Sequence, residues 1–483
     1  MSREGALLIT KVLDKGNMTE LKNENSNQQR VQEEIEILSA KKRKEMTSSE
    51  RVRLLQLKLY QKAKQEKGYK FYILYDKIFQ RHILEEAYKR TKAKNGSPGI
   101  DNRTFAEVEE YGRERFLTEL RADLMKRTYK PQAVKRVWID KENGGKRPLG
   151  IPTIKDRVVQ RACKMVIEPL FEADFDNSSY GFRPKRSAKG AIKEIRNNLR
   201  KGKYRVYEAD LSKYFDRIPH DKLEIVLKER IADPRVLHLI KLWLKAPIVE
   251  EDGKYTGGKR NTKGTPQGGV ISPLLANIYM NLIDRIVNKP ESYFSKRGIK
   301  MIRYADDFVL MSKYIKQEDI DKVHKYLERM DLKLNTDKSK LINAREQPFS
   351  FLGFAIRYDQ SIYSKESRFW DIIPKPESQK KIRQKINRKL KSIGHYSAEK
   401  VVLELNPIIR GWMNYYRIEK VSYTQVAFKK LEDYLRNRLY RYYNRKSQRK
   451  TRLYGQQAFN KLVKEYGLIK PYRTSGLRPA NTL

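Results

Sequence analysis

The chain holds a single cysteine, Cys163, in 483 residues. One thiol excludes a disulfide framework and any cysteine-rich zinc site, which leaves Cys163 as a core residue. No stretch of about eighteen apolar residues occurs, so no membrane-spanning helix is expected and no membrane partner. The N-terminus mixes Glu, Asp and Lys and resembles neither a signal peptide nor a transit peptide. A reducing, intracellular location is the expectation.

Negative charge is also in short supply. Lys and Arg number 105 against 59 Asp and Glu, a formal net charge of +46. Such a surplus points to a polyanionic partner, because each neutralised phosphate releases counterions and strengthens binding at low salt. An acidic small molecule would not need so much charge. Histone-like and ribosomal proteins share the basicity but are short and poor in apolar cores, whereas this chain is 39% hydrophobic and long enough for several domains.

Among so few acids, the placement of three is informative. Tyr304-Ala305-Asp306-Asp307 sits between the apolar runs Met301-Ile302 and Phe308-Val309-Leu310-Met311, so two adjacent carboxylates fall on a tight turn. Their repulsion is offset when a cation sits between them; a solvated Asp-Asp turn is the structural alternative. A second strand-like run, Arg205-Val206-Tyr207-Glu208-Ala209, ends in Asp210. Carboxylates on neighbouring strand ends suit two-metal phosphoryl transfer, with ions ~3.5–4 Å apart. Asp210, Asp306 and Asp307 are the expected metal ligands. Asp216 is the alternative ligand, but it lies past the turn, where a capping or pairing role is expected.

Four segments resemble, in order, the palm motifs of reverse transcriptases. They are Asp210 to Asp216, the stretch Gly264-Thr265-Pro266-Gln267-Gly268-Gly269 that runs on to Pro273, the Tyr304-Ala305-Asp306-Asp307 box, and Leu332 to Lys340. More narrowly, Asn95 to Asp101, Arg147 to Thr153 with Asp156-Arg157, and Ser179 to Pro184 look like the fingers of group II intron-encoded reverse transcriptases. Leu405 to Arg417 is similar to that family's maturase, or X, segment. The likeness covers roughly residues 70 to 450.

The resemblance implies an α+β fold of right-hand polymerase type, with fingers and palm over 69–355 and a helical thumb (maturase) domain over 356–450. Residues 451–483 form a basic tail. Residues 1–68 are a mixed-charge extension, helical or partly disordered. Within them, Val31, Ile35 and Leu38 and then Val52, Leu55 and Leu59 make two amphipathic stretches, the second preceded by a capping box at Thr47-Ser48-Ser49-Glu50. Residues 371–483 hold 27 Lys+Arg against 8 Asp+Glu and 11 of the 30 tyrosines. Cations track phosphates and aromatic faces stack on unpaired bases at ~1–3 kcal/mol each.

The same resemblance assigns residue roles. Phe215 takes the position of an aromatic steric gate against the 2′-hydroxyl, with a buried core ring as the alternative. Lys141 and Arg147 clamp the triphosphate, Lys146 being the substitute for Lys141. Gln267 lies against the nucleotide, and Leu211 joins Asp210 as a metal and nucleotide contact. Lys338 is the general-acid candidate, in competition with an ordinary surface lysine. Phe351-Leu352-Gly353-Phe354 matches a primer-grip strand whose aromatics read equally as core, and Arg410 and Arg417 are assigned to RNA.

The implied function is that of an RNA-directed DNA polymerase of group II intron type, which binds intron RNA to assist splicing and copies it by target-primed reverse transcription. It would use dNTPs and two Mg²⁺ ions, Mn²⁺ being the alternative metal, with a DNA or RNA primer and an intron or other structured RNA as partners. The location would be the bacterial cytoplasm, with the nucleoid within reach. The widely spaced His82, His220, His238, His324 and His395 predict no His/Asn-rich endonuclease, hence a borrowed primer. Two other readings stay open: a domesticated reverse transcriptase in repair, defence or spacer acquisition, and an RNA-binding splicing factor without polymerase activity. The sequence carries no signal of oligomeric state.

Overall fold

A computed structural model of the chain describes residues 26–42, 45–140, 144–360, 366–393, 396–445, 453 and 457–472. The strands are β1 (Val134–Asp140), β2 (Lys146–Ile151), β3 (Arg205–Ala209), β4 (Pro247–Val249), β5 (Tyr255–Gly257) and β6 (Lys300–Tyr304). They continue with β7 (Asp307–Ser312), β8 (Lys340–Asn343), β9 (Phe349–Phe351), β10 (Phe354–Gln360) and β11 (Arg368–Pro374). Two compact units emerge. One comprises Met1–Pro184, Leu211–Ile286 and Asp321–Asn335; the other comprises Lys185–Asp210, Val287–Ile320 and Thr336–Leu483.

The first unit is built on the helix Ile154–Glu172, whose Val158, Val159, Ala162, Cys163, Val166 and Ile167 are fully buried. Burial around most of its circumference requires partners on several sides. The helices Arg81–Lys92 and Ser48–Gln65 supply two of them. Thr153 caps its start by accepting from the Asp156 amide at 3.1 Å. The loop carrying Asn95 to Asp101 passes so close that a Cβ on Gly99 would lie 2.7 Å from the Thr153 Cα. Arg157 Nη2 donates to the Ser97 carbonyl at 2.6 Å and pins that loop.

The helix Ser48–Gln65 begins with the expected capping box, Thr47 and Glu50 satisfying each other's backbone amides. It is no loose extension. Val52 and Ala63 are fully buried, and Gln56 Nε2 donates to the Met165 carbonyl at 3.0 Å. The buried guanidinium of Arg230 donates to the carbonyls of Ala63 and Glu66 at 2.9 Å each, and pairs with Asp174 at 2.6 Å. A helix spanning 26–40 adds Ile35 and Leu38 to a small core with Met46 and Leu57. A sheet ordered β2-β1-β4-β5 completes the unit, β1 and β2 forming an antiparallel hairpin that closes at Asp140 and Lys146.

The second unit contains the sheet β6-β7-β3-β8, in which every neighbouring pair is antiparallel. Its central strands read Val206-Tyr207 and Phe308-Val309-Leu310-Met311, all buried, as expected of strands covered on both faces. A smaller sheet, β11-β10-β9, follows. The helices Pro376–Ser392, Ala398–Tyr416 and Gln425–Arg445 then pack around Ile386, Leu405, Ile409, Leu435 and Leu439. The segment after 450, expected as a basic tail, contributes the helix Ala458–Tyr466 to this core through Phe459 and Leu462. Asn406 locks it by donating to the Gly467 carbonyl at 3.0 Å and accepting from the Ile469 amide at 2.9 Å.

Candidate active site

The carboxylates stand on adjacent strand ends. Strand β6 ends at Tyr304 and β7 starts at Asp307, paired across a two-residue loop of Ala305 and Asp306. Ala305 adopts φ 58°, a left-handed conformation that favours glycine, so the turn stores strain. The Arg303 guanidinium, only 1% exposed, donates from Nη1 to the Ala305 carbonyl at 2.8 Å and holds the loop in place. Strand β3 lies beside β7, with Ala209 opposite Phe308, so Asp210 leaves the sheet at the end where Asp307 enters it.

Electrostatics record the proximity. Asp307 keeps an exposed surface, yet surrounding protein withholds part of its hydration. Its carboxyl is pushed up to about 6, first by that desolvation and then by the charges of Asp306 and Asp210, with Lys338 and Lys375 pulling the other way. Lys338 Nζ pairs with Asp210 at 3.3 Å. As the side chains stand, no three acidic, imidazole or thiol groups among the described residues converge to ligate one ion. Three carboxylates gathered at one end of the sheet nevertheless fit a divalent cation by the chemistry of their donors.

In the first unit, residues selected from three distant segments meet. Arg147 Nε, on β2, donates to Gln267 Oε1 at 3.3 Å, and Gln267 Nε2 donates to Asp216 Oδ1 at 3.0 Å. The loop bearing Gln267 is fastened on both sides. The Gly150 amide donates to the Gln267 carbonyl at 2.5 Å, and the Thr265 amide to the Phe215 carbonyl at 2.7 Å. Phe215 is half-buried, not core, while its neighbour Tyr214 is buried and donates to the Ala276 carbonyl at 2.5 Å. Leu211 is 4% exposed, so only its backbone can reach a ligand. Lys141 lies outside the described residues; Arg147 and Lys146 are both exposed on the strand that follows.

The primer-grip assignment needs correction at Phe351. Its ring is 5% exposed and packed in the core, as is that of Phe354, which stacks on Tyr415 with centroids 5.8 Å apart. A buried ring cannot touch a primer. Leu352 and Gly353 form the accessible turn between them, with φ 50° and 80°, and Tyr415 donates to the Leu352 carbonyl at 3.0 Å. Arg410 and Arg417 are exposed, the latter with its guanidinium carbon 5.3 Å from the centroid of the Phe428 ring. Two contributors escaped the sequence reading. Arg303 gave no signal beyond its place in a strand, and Asp216 was assigned a pairing role without its partner, Gln267.

Comparison with known proteins now places the chain. Residues 139–356 match the family model "Reverse transcriptase (RNA-dependent DNA polymerase)", and residues 379–460 match "Group II intron, maturase-specific domain". Protein YkfC of Escherichia coli is 34% identical over 344 residues, which is 62% of this chain and 87% of that protein. The group II intron-encoded protein LtrA of Lactococcus lactis is 32% identical over 48% of each chain. An uncharacterized 91 kDa protein in the cob intron of Schizosaccharomyces pombe is 29% identical over 58% of this chain and 43% of that one. The match therefore spans less than half of the last two relatives.

The fold is that of a reverse transcriptase. The chain belongs to the group II intron-type reverse transcriptase/maturase family, and its catalytic domain is that of an RNA-directed DNA polymerase. Such domains act on RNA templates with nucleic-acid and deoxynucleotide substrates, and polymerases of this family use divalent metal ions. No helix among the described residues is long and apolar enough to cross a membrane.

Proposed function

We propose that this protein binds a structured intron RNA, assists its splicing, and copies it into DNA by extending a primer 3′ end at the target site. The observation that carries this reading is the gathering of Asp210, Asp306 and Asp307 at one end of the β6-β7-β3-β8 sheet, where the charges of Asp306 and Asp210 act on Asp307. Two Mg²⁺ ions, with Mn²⁺ as a substitute, would be held by these carboxylates and the Leu211 backbone, and would supply charge neutralisation to the 3′-oxygen and the leaving pyrophosphate.

The protein's own residues do the rest. Arg147, with Lys141, grips the triphosphate through charge-assisted hydrogen bonds. Gln267 supports the sugar and base, and the Phe215 ring excludes a 2′-hydroxyl. Lys338, released from Asp210, donates a proton to pyrophosphate. The Leu352-Gly353 turn supports the primer backbone, while Arg410 and Arg417 hold RNA on the thumb. We assign fingers and palm to 69–355, thumb to 356–450, and a bacterial cytoplasmic location.

Primer extension on an RNA template tests the reading. Mg²⁺-dependent dNTP incorporation, lost in Asp306→Ala, is expected; no incorporation by a protein whose circular dichroism shows an intact fold would sink it. Crosslinking in the host followed by sequencing of the bound RNA separates intron service from other work. One enriched intron supports the maturase role, and diverse transcripts support a domesticated polymerase.

A further inference from the structure

The carboxylates occupy one end of the sheet β6-β7-β3-β8; the other end is basic. Arg205 pairs across to Ser312 and to Asn343, and Lys300 pairs with Met311, which sets the starts of β3 and β6 beside the ends of β7 and β8. Lys201, Lys203 and Arg205 arrive there before and on β3, Lys300 opens β6, Lys313 follows β7, and Arg345 lies just beyond β8. They form one neighbourhood. The Arg345 guanidinium carbon lies 4.2 Å from the Tyr204 ring centroid, and a Cβ on Gly202 would meet the Lys313 Cε at 3.4 Å. Strand rise over the six residues from Asp307 to Lys313 puts this surface roughly 20 Å from the carboxylates.

Among the described residues little neutralises it. None of the six cations has a carboxylate ion-pair partner among the described residues. The acids of adjoining segments have other partners: Glu194 accepts from Asn198 while also acting weakly on Lys203, Glu346 accepts from Asn343, and buried Asp319 pairs with Arg297 and accepts from Tyr293. The Lys203 ammonium is pushed down to about 8, by burial first and then by Lys300 and Lys201. Such crowding is relieved by an external anion. Tyr314, 75% exposed, stands beside Lys313.

We propose that this end of the sheet is a second RNA-binding surface, separate from the polymerase site, that takes the phosphodiester backbone of an unpaired segment on its lysines and arginines and stacks a base on Tyr314. Cations supply affinity without sequence preference, and a free aromatic face accepts any base. No exposed large aliphatic side chain accompanies Tyr314 here among the described residues, which favours nucleic acid over a lipid surface. The surface holds RNA away from the carboxylates, so long RNA binds more tightly than short. The inference rests on the proposed function only in taking RNA as the polyanion.

The test compares wild type with a Lys201→Gln, Lys300→Gln, Lys313→Gln variant of the full chain. Poly(U) binding is followed against salt, and primer extension on short oligo(rA)·oligo(dT). Loss of three phosphate contacts lowers the log–log salt slope by about 2, at ~0.7 per contact for a single strand. Short-template extension is expected to stay unchanged. An unchanged slope overturns the proposal, as does loss of phosphatidylserine-vesicle binding alone, which would assign the surface to a membrane. Should the variant fold poorly, the wild type decides: 4-thiouridine-substituted poly(U) crosslinks at Tyr314, and no adduct there overturns the proposal. Failure of the polymerase reading shows separately, as absent extension by wild type.

Discussion

A Cβ placed on Gly268 would stand 2.2 Å from the carbonyl oxygen of Gly150. Gly268 also has φ 108°, so both its space and its backbone conformation require glycine. The contact seats the Gln267 loop on β2, next to Arg147.

Gly268→Ala is therefore expected to push the loop off the strand and cost about 2–4 kcal/mol, as other overpacking at a strained position does. Primer extension should fall with it. Gly253→Ala is the control, because Gly253 has φ 81° but open space around it, and should cost only about 1 kcal/mol. Thermal denaturation of both variants checks the difference.

Asp307 links function to stability. Its carboxyl is raised in the folded protein to about 6 from an ordinary value of 3.8, so the folded state favours the protonated form. That contribution is complete below the ordinary value and is lost as pH rises through about 6, where the charged carboxylate begins to repel its neighbours. Asp307→Asn should therefore stabilise the protein at alkaline pH, by about 1 kcal/mol once screening at this exposed group is allowed for, and leave it unchanged in acid. It should also abolish primer extension. Denaturant melts without metal at acid and alkaline pH, set beside an incorporation assay, read both effects.

Arg303→Met removes the buried donor that holds the Ala305 carbonyl. The orphaned acceptor should cost about 1–3 kcal/mol, partly offset as the strained turn relaxes, and that relaxation should let the two aspartates drift. Incorporation at saturating dNTP should then need about tenfold more Mg²⁺, the equivalent of about 1.4 kcal/mol. A Mg²⁺ titration of Arg303→Met against wild type measures the shift.

Phe215→Val shortens the half-buried ring. If the ring excludes the 2′-hydroxyl, the ratio of kcat/KM for dNTP over NTP should fall by about 10–200-fold, with dNTP use largely kept. Single-nucleotide incorporation with each substrate is the measurement, and an unchanged ratio removes the gate.

Some of this architecture was legible because its determinants are local. The turn between β6 and β7 follows from two apolar runs flanking four residues, and the capping box at Thr47 from letters three apart. The helix Ser272–Asn288 carries apolar residues at helical spacing, yet its fully buried positions include Tyr279, Ile283 and Val287, whereas Leu282 and Ile286 are only partly buried. Neighbours in three dimensions, not period alone, set that rotation. Arg230 could not be read at all, since its partners Ala63, Glu66 and Asp174 lie far away in sequence.

The sequence by itself determined the chemistry: ordered motifs carry the carboxylates, and a surplus of cations implies a polyanion. Both are properties of residue identity and short spacing, which no folding step can alter. Tertiary structure alone decided that the Phe351 ring belongs to the core, that Gln267 bridges Arg147 to Asp216, that 458–466 completes the core of the C-terminal helices, and which lysines go unpaired at the far end of the sheet. Burial and charge pairing depend on residues that the chain brings together from distant segments, and a linear spacing carries no record of that meeting.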